Sequence, residues 1–276
     1  MAIRTFPAQR PAPGLSLPGR DRLATFGRDF GIVLAVVGVY FLLRGVAPTR
    51  IGFAMSVTDV LIAIEKDLGI FWEAQIQELS IRYHVVQEVA NFTYAYLHFP
   101  VLIVVGAALW VRDRQSFTFM RNVMFISMAI GVVFYYALPA APPRLLEMHG
   151  TDLGFTDTVF GGNTSVSYAQ PSMIMNEYAA IPSFHFGWIA MASAAIWVNY
   201  QSRVLRTAAV FLTLLMTWAI VASANHLFLD MALGGAVIAI AWWGASKIEE
   251  RQSRPAPREP IAMPARVEAR SEDLAA

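Results

Sequence analysis

Cysteine is absent from this 276-residue chain, and charged residues make up only 15% of it. The lack of cysteine excludes disulfide scaffolds, thiolate metal sites and cysteine nucleophiles. The net charge of +1 provides no basic excess, which argues against a nucleic-acid-binding protein. Apolar residues make up 56%, and the mean hydropathy is +0.48. Because soluble domains carry about 25% charge and disordered chains carry few apolar residues, this composition predicts a polytopic membrane protein.

Six segments are candidate transmembrane helices, since about 20 mostly apolar residues cross the bilayer core. The first is short, but Arg28 and Arg44 on its flanks can reach the two interfaces. The last is interrupted only by Asp230. The predicted fold class is therefore all-α, a membrane bundle of about six helices. Its candidate spans are residues 30–43, 90–111, 122–143, 179–202, 207–229 and 227–246.

The basic residues predict which way the bundle faces. They are concentrated in the N-terminal segment, in the loops after the second and fourth spans, and in the C-terminal tail. The long connection 139–178 has only Arg144, and the turn before His226 has none. The positive-inside rule therefore predicts a multi-pass cell-membrane protein with both termini in the cytoplasm, and with the 139–178 loop and the His226 turn outside.

The chain outside the spans divides into three kinds of segment. Residues 1–28 and 248–276 are predicted to be disordered cytoplasmic tails flanking a membrane domain at 29–247. Within that domain, apolar residues recur at helical spacing among acidic ones over 51–83. This pattern predicts one or two amphipathic helices at the outer interface or capping the bundle. A loop helix packed on protein is the alternative.

Polar residues at span ends are the candidates for chemistry, because they are costly to place in a membrane. Three clusters fall on the predicted outer face. Arg144 follows the third span, a polar run from Asn176 to His185 leads into the fourth, and Asn225 to Asp230 join the fifth to the sixth. Their meeting at one site is predicted from topology.

His226 and Asp230 are four residues apart and would share one face of a helix. A carboxylate bonded to one ring nitrogen fixes the tautomer and leaves the other nitrogen free to attack. The same pair would also suit the outer shell of a metal site, or a purely structural contact between helices.

Pro182-Ser183-Phe184-His185 predicts a helix start. Pro182 prevents a regular helix from continuing through the residues before it, and Ser183 is a suitable N-cap. Amides at a helix start suit an anion such as phosphate, and His185 would be placed to donate a proton to a leaving oxygen. Arg144 suits phosphate recognition. A purely structural histidine is the alternative interpretation of His185.

These residues resemble motifs of the type-2 phosphatidic acid phosphatase superfamily, which shares its helical core with vanadium haloperoxidases. The motifs are Arg144, Pro182-Ser183-Phe184-His185 and His226-x-x-x-Asp230, in that order. The surrounding residues more closely resemble the inositolphosphotransferase branch, which includes fungal inositol-phosphorylceramide synthase. The resemblance covers about residues 50–247.

The resemblance implies a role for each motif residue. His226 would be the nucleophile that forms a phosphohistidine, and Asp230 would orient it. His185 would protonate the leaving alcohol and then activate the acceptor. Arg144 and Ser183 would bind the phosphate oxygens in the transition state. Neither a metal nor another cofactor is implied.

The sequence departs from the family pattern at four positions. Ala137 and Ile220 stand where the family has a Lys and an Arg, Phe184 replaces a Gly, and Leu145 replaces a Pro. These changes favour the transferase-like branch over a general phosphatidic acid phosphatase. The candidates to complete the substrate site are the polar residues Asn176, Tyr178 and Asn225.

The leading hypothesis is a membrane enzyme that cleaves a phospholipid headgroup and transfers the phosphoryl group to a lipid or polyol alcohol. Hydrolysis of a lipid or polyprenyl phosphate shares the first half-reaction and stays open. A transporter would use the same ionisable residues, but these sit at span ends rather than near the midplane. A scaffold built on 51–83 predicts that His226 has no effect on any phospholipid.

Overall fold

The computed structural model describes residues 19–161, 164, 166 and 175–253. Regular structure in this part of the chain is helical, apart from one isolated bridge between Ala140 and Ala179. The outer parts of both predicted tails and part of the 139–178 loop lie outside the described residues. The α-helices are α1 (Gly19–Gly45), α2 (Ile51–Asp67), α3 (Glu73–Ile81), α4 (His84–Phe92), α5 (His98–Arg112), α6 (Arg114–Ala137), α7 (Phe184–Asn199), α8 (Arg203–Ala222) and α9 (Phe228–Gln252).

The structure confirms an all-helical membrane-type bundle. Five helices are long and apolar enough to cross a bilayer: α1, the continuous stretch His84–Arg112, α6, α8 and α9. The fourth predicted span corresponds to α7, which has 16 residues and is shorter than these five. Each predicted span thus corresponds to a helix, and five of the six meet the length of a full crossing.

The first helix is longer than the sequence predicts. It begins at Gly19, so the prediction of a disordered segment over 1–28 is wrong for residues 19–28. Asp29, buried on this helix, accepts hydrogen bonds from Arg114 at 2.6 and 2.9 Å and from the Trp110 indole at 3.1 Å. The bidentate ion pair with Arg114 connects α1 to α6, and the hydrogen bond from Trp110 connects α1 to α5. At the other end, α9 continues to Gln252, past the predicted boundary at 247.

The segment 51–83 forms two helices, α2 and α3, that turn their polar sides inward. Glu65, Glu73 and Gln77 are fully buried, whereas Val60 and Leu68 are 58% and 62% exposed. Long apolar side chains exposed in this way suit contact with lipid rather than water. Two of the five acidic residues of the pattern, Glu65 and Glu73, therefore contact the protein, whereas the other three are exposed.

Helices α7 and α9 cross at a very short distance because small residues lie at the contact. An added Cβ at Gly234 would lie 2.2 Å from the Ser183 carbonyl oxygen, and one at Gly187 would lie 3.1 Å from the Gly234 carbonyl oxygen. The Ser183 amide also donates to the carbonyl of Asp230 at 3.0 Å. This crossing fixes the start of α7 relative to the start of α9.

We expect Gly234→Ala to lower both the thermal midpoint and catalytic activity, because the new methyl group meets backbone atoms that have no room to move. Overpacking of this kind costs about 1–3 kcal/mol. Thermal unfolding of the detergent-purified protein measures it. Gly244→Ala, on the same helix, is the control, since its Cβ meets only Ile126 at an ordinary 3.5 Å. Equal midpoints for the two variants would contradict the close crossing.

Candidate active site

A cavity of about 780 Å³, including its mouth, lies where several helices begin or end. Helix α1 ends there, α7 and α9 begin there, and the second span passes it at His98. The Ala140–Ala179 bridge draws the two ends of the 139–178 connection together beside it. Of the predicted site residues, the lining includes Arg144, Asn176, His185, Asn225 and His226.

His226 lies immediately before α9 and is held by Asp230 in the first turn of that helix. Its Nδ1 is 3.3 Å from an Asp230 carboxylate oxygen, and both side chains are buried. The preceding Ala224 has a positive φ of 51°, a strained conformation for a residue with a Cβ. That turn sends the His226 ring into the cavity. With Nδ1 protonated and bonded to Asp230, Nε2 carries the free lone pair.

The start of α9 is capped by three carboxylates. Asp230 accepts from the Leu227 amide at 2.9 Å, Glu73 from the Phe228 amide at 2.8 Å, and Glu65 from the Leu229 amide at 2.6 Å. The N-terminal amides of a helix have no partner within it, and its dipole favours negative charge there. Helices α2 and α3 therefore hold the backbone that carries His226.

Glu65 and Glu73 form a buried acidic pair. Burial and the facing Glu73 carboxyl raise the pKa of Glu65 to about 9. Each carboxyl uses one oxygen for α9, and the second oxygen of each has no other protein partner in the described part of the chain. One proton shared between the two carboxyls satisfies both second oxygens and removes the repulsion of two adjacent charges.

His185, in the first turn of α7, faces His226 across the cavity. The centroids of the two rings are 5.8 Å apart, close enough for both side chains to reach one phosphate group. The His185 ring is also in contact with the ring of Tyr94 at 4.5 Å and that of His98 at 4.8 Å. The two histidines predicted from separate motifs thus share one cavity.

Arg144 is buried at the cavity wall and already has three protein partners. Its Nε donates to Asn225 at 3.1 Å, and its two terminal nitrogens donate to Asp157 at 2.9 Å and Glu177 at 3.0 Å. Its guanidinium also lies 4.2 Å from the centre of the Phe160 ring. A guanidinium has five N–H groups, so two remain beyond these contacts. The two carboxylates outweigh the single positive charge.

Asn176 and Arg44 join the cavity rim to the end of α1. The Asn176 side-chain amide donates to the carbonyls of Arg44 and Ala47 at 3.1 and 3.3 Å, and the backbone carbonyl of Asn176 accepts from the Arg44 guanidinium at 3.0 Å. Arg44 lines the cavity as a second cation beside Arg144. Sequence reasoning placed Arg44 only at the membrane interface.

Three predicted residues do not line the cavity: Asp230, which lies behind His226, and Ser183 and Tyr178. The Ser183 hydroxyl is fully buried and accepts from the Phe186 amide at 3.5 Å, so it caps α7, as predicted. The Tyr178 hydroxyl pairs instead with His149 at 3.2 Å, outside the cavity. The cap uses a lone pair of the Ser183 oxygen, so the O–H group can still act as a donor.

The two positions that lack the family's cations lie outside the cavity lining. Ile220 is fully buried in an apolar cluster with Ile189 and Met216, and Ala137 is exposed at the end of α6. The cavity instead contains Arg44 and His98, which sequence reasoning missed. One signal was available for His98, since it is an ionisable residue inside an otherwise apolar span.

The bundle and the paired histidines define a membrane protein of the lipid-phosphatase type. The family model of the PAP2 superfamily matches residues 59–245, well over half of the chain, and the protein belongs to that superfamily. No curated protein and no solved structure matches the sequence significantly. Superfamily membership supports an enzyme acting on phosphoesters.

We expect the free energy of unfolding to fall as pH rises from about 5 to about 9. The folded state keeps a proton on the acidic pair that the unfolded chain releases above the ordinary Glu pKa, so the folded form is favoured at lower pH. Glu65→Gln can keep the hydrogen bonds to the Leu229 amide and to Glu73, but it does not titrate. It should therefore flatten the dependence of the free energy of unfolding on pH. Thermal unfolding in detergent across this range measures it.

Glu78→Gln is the matched control, because Glu78 lies on the exposed side of α3 in a surface pair with Arg82. The shared proton would be ruled out if the pH dependence of the unfolding free energy were unchanged in Glu65→Gln, or if it were flattened equally in both variants.

Proposed function

We propose that this protein is a membrane phosphotransferase that cleaves a phospholipid headgroup through a phosphohistidine on His226 and transfers it to an alcohol. The proposal rests mainly on the rings of His185 and His226, whose centroids are 5.8 Å apart in one cavity. The Nδ1 atom of His226 also lies 3.3 Å from the Asp230 carboxylate. One histidine has a fixed tautomer, and the other lies within reach of the same phosphate.

In the first half-reaction, Nε2 of His226 attacks the phosphorus atom and the bond from phosphorus to the leaving oxygen breaks. His185 gives its proton to that oxygen, so the leaving group departs as a neutral alcohol. Asp230 stabilises the positive charge that forms on the His226 ring. Arg44 and the two remaining N–H groups of Arg144 compensate the charge on the phosphate oxygens.

In the second half-reaction, His185 takes the proton of the acceptor hydroxyl while the acceptor oxygen attacks phosphorus and the P–N bond breaks. Water in place of an alcohol would give hydrolysis with the same residues. A transferase must therefore bind its acceptor and exclude water from the phosphohistidine.

The cavity wall supports a lipid substrate with a polar headgroup. Phe41 and Phe99 line the cavity with their rings 6.0 Å apart, and Phe99 is 39% exposed on the outer surface of the bundle. This apolar side suits acyl chains. The Glu177 carboxylate, which lines the cavity beside Arg144, is an acceptor for hydroxyl groups. We assign a polyol headgroup to that side of the cavity.

The direction of the helices supports an extracytoplasmic site. Helices α1, α6 and α8 end near the cavity, so the connections α5–α6 and α7–α8, with their arginines, lie at the far end of the bundle. The positive-inside rule assigns that far end to the cytoplasm.

The decisive experiment is turnover of defined phospholipids by the detergent-purified protein, with and without ceramide or another alcohol as acceptor. We expect His226→Ala to abolish product formation and an acid-labile labelled phosphoenzyme together, because the nucleophile is gone. His185→Ala should slow turnover by about 10²–10⁴-fold, the usual contribution of a general acid and base. Mass spectrometry of the lipids measures the products.

His149→Ala is the matched control, since this histidine lies outside the cavity and should leave turnover unchanged. Product formed only with an acceptor identifies a transferase, and phosphate or phospho-headgroup released without one identifies a hydrolase. If the wild type and His226→Ala were equally inert on every lipid, the proposal would be rejected and ion or solute transport would be tested next.

A further inference from the structure

A single π-helical turn interrupts the second span where it passes the cavity. It covers Thr93–Leu97, between α4 and α5, and places Tyr94 and His98 against the ring of His185. Such turns are rare and occur frequently at functional sites, because the extra residue redirects the side chains that follow. This change of helical register is therefore a first indication that His98 has a role in the cavity.

His98 is buried without a hydrogen-bond partner. It is 5% exposed, and neither ring nitrogen is bonded to any residue in the described ranges. Its ring packs against Trp188 at 5.3 Å as well as against His185. By contrast, the Trp188 indole donates to Ser127 at 3.0 Å. An unsatisfied buried polar group destabilises the folded state, and a phenylalanine would fill the same space without that cost.

The position of His98 points to the group that it binds. Its ring lines the same cavity as His185 and His226, where the proposed reaction holds a phosphate. No carboxylate is bonded to it within the described residues, so it offers a neutral imidazole with one N–H donor and one lone pair. Three of the five N–H groups of Arg144 are already used. Two N–H groups of Arg144 remain, and His98 would add to them a donor that carries no charge.

We propose that His98 is a substrate-binding residue that donates its imidazole N–H to a non-bridging oxygen of the phosphate held between His185 and His226. This inference rests on the proposed function. The hydrogen bond restores the partner that the buried ring lacks and adds a donor without adding charge. His98 takes no proton from the substrate, so it does not set the pH dependence of the reaction.

The test uses orthovanadate, a phosphate analogue, as an inhibitor of lipid turnover by the full-length protein. His98→Phe keeps the ring shape without a donor, and we expect vanadate inhibition and kcat/KM to weaken about 10- to 100-fold, as for loss of a hydrogen bond to a charged group. His98→Asn keeps an N–H donor and should recover most of both. The thermal midpoint of His98→Phe should equal or exceed that of the wild type.

Two further measurements keep the inference falsifiable. His84→Phe, at an exposed position in the same span, should behave as the wild type. The shape of the kcat/KM pH profile should be the same in His98→Asn and the wild type, whereas loss of one limb would make His98 a proton carrier and overturn the assignment.

The outcomes separate the two proposals. If the wild type turns over lipid and is inhibited by vanadate, but His98→Phe is inhibited equally, the role of His98 is wrong and the proposed function stands. If His98→Phe unfolds, His98→Asn becomes the test. Normal vanadate inhibition of His98→Asn supports an N–H donor at this position. Loss of inhibition in folded His98→Asn overturns the donor role. A wild type inert to lipid and unaffected by vanadate rejects both.

Discussion

The site depends on how the first turn of α9 is anchored. The Phe228 and Leu229 amides donate to Glu73 and Glu65, two residues more than 150 positions earlier in the chain. A helix start without partners would be costly inside a bundle, and here α2 and α3 supply them. Because His226 lies directly before that turn, the same contacts fix the position of its ring. Because the two buried carboxyls share a proton, both can accept hydrogen bonds from the start of α9 without placing two negative charges side by side.

The arginine side chains at the cavity already have hydrogen-bond partners within the protein. Arg144 is matched by Asp157 and Glu177, and Arg44 is bonded to the loop end at Asn176. A phosphate entering this cavity therefore competes with carboxylates for the guanidinium groups instead of meeting bare cations. The proposed polyol headgroup would fit this arrangement, since its hydroxyls could bond to the Glu177 carboxylate in the cavity lining.

Local patterns in the sequence predicted much of the fold and part of the site. Apolar runs are sufficient to locate spans, and the i, i+4 spacing of His226 and Asp230 is sufficient to pair them. Contacts between distant segments could not be predicted in this way: the acidic spacing over 51–83 shows a helix, but nothing local shows that Glu65 faces α9. Ser183 shows the opposite case, since its position directly after Pro182 is sufficient to predict the cap of α7.

Helices α2 and α3 connect the catalytic histidine to the surroundings of the protein. Their inner side holds the start of α9, and their outer side presents Val60 and Leu68. A change in bilayer thickness or lateral pressure acts on that outer side first. Since the helices are stiff, a displacement of α2 reaches Glu65 and then the backbone beside His226. Under the proposed function, the bilayer would both supply the substrate and contact the helices that hold His226.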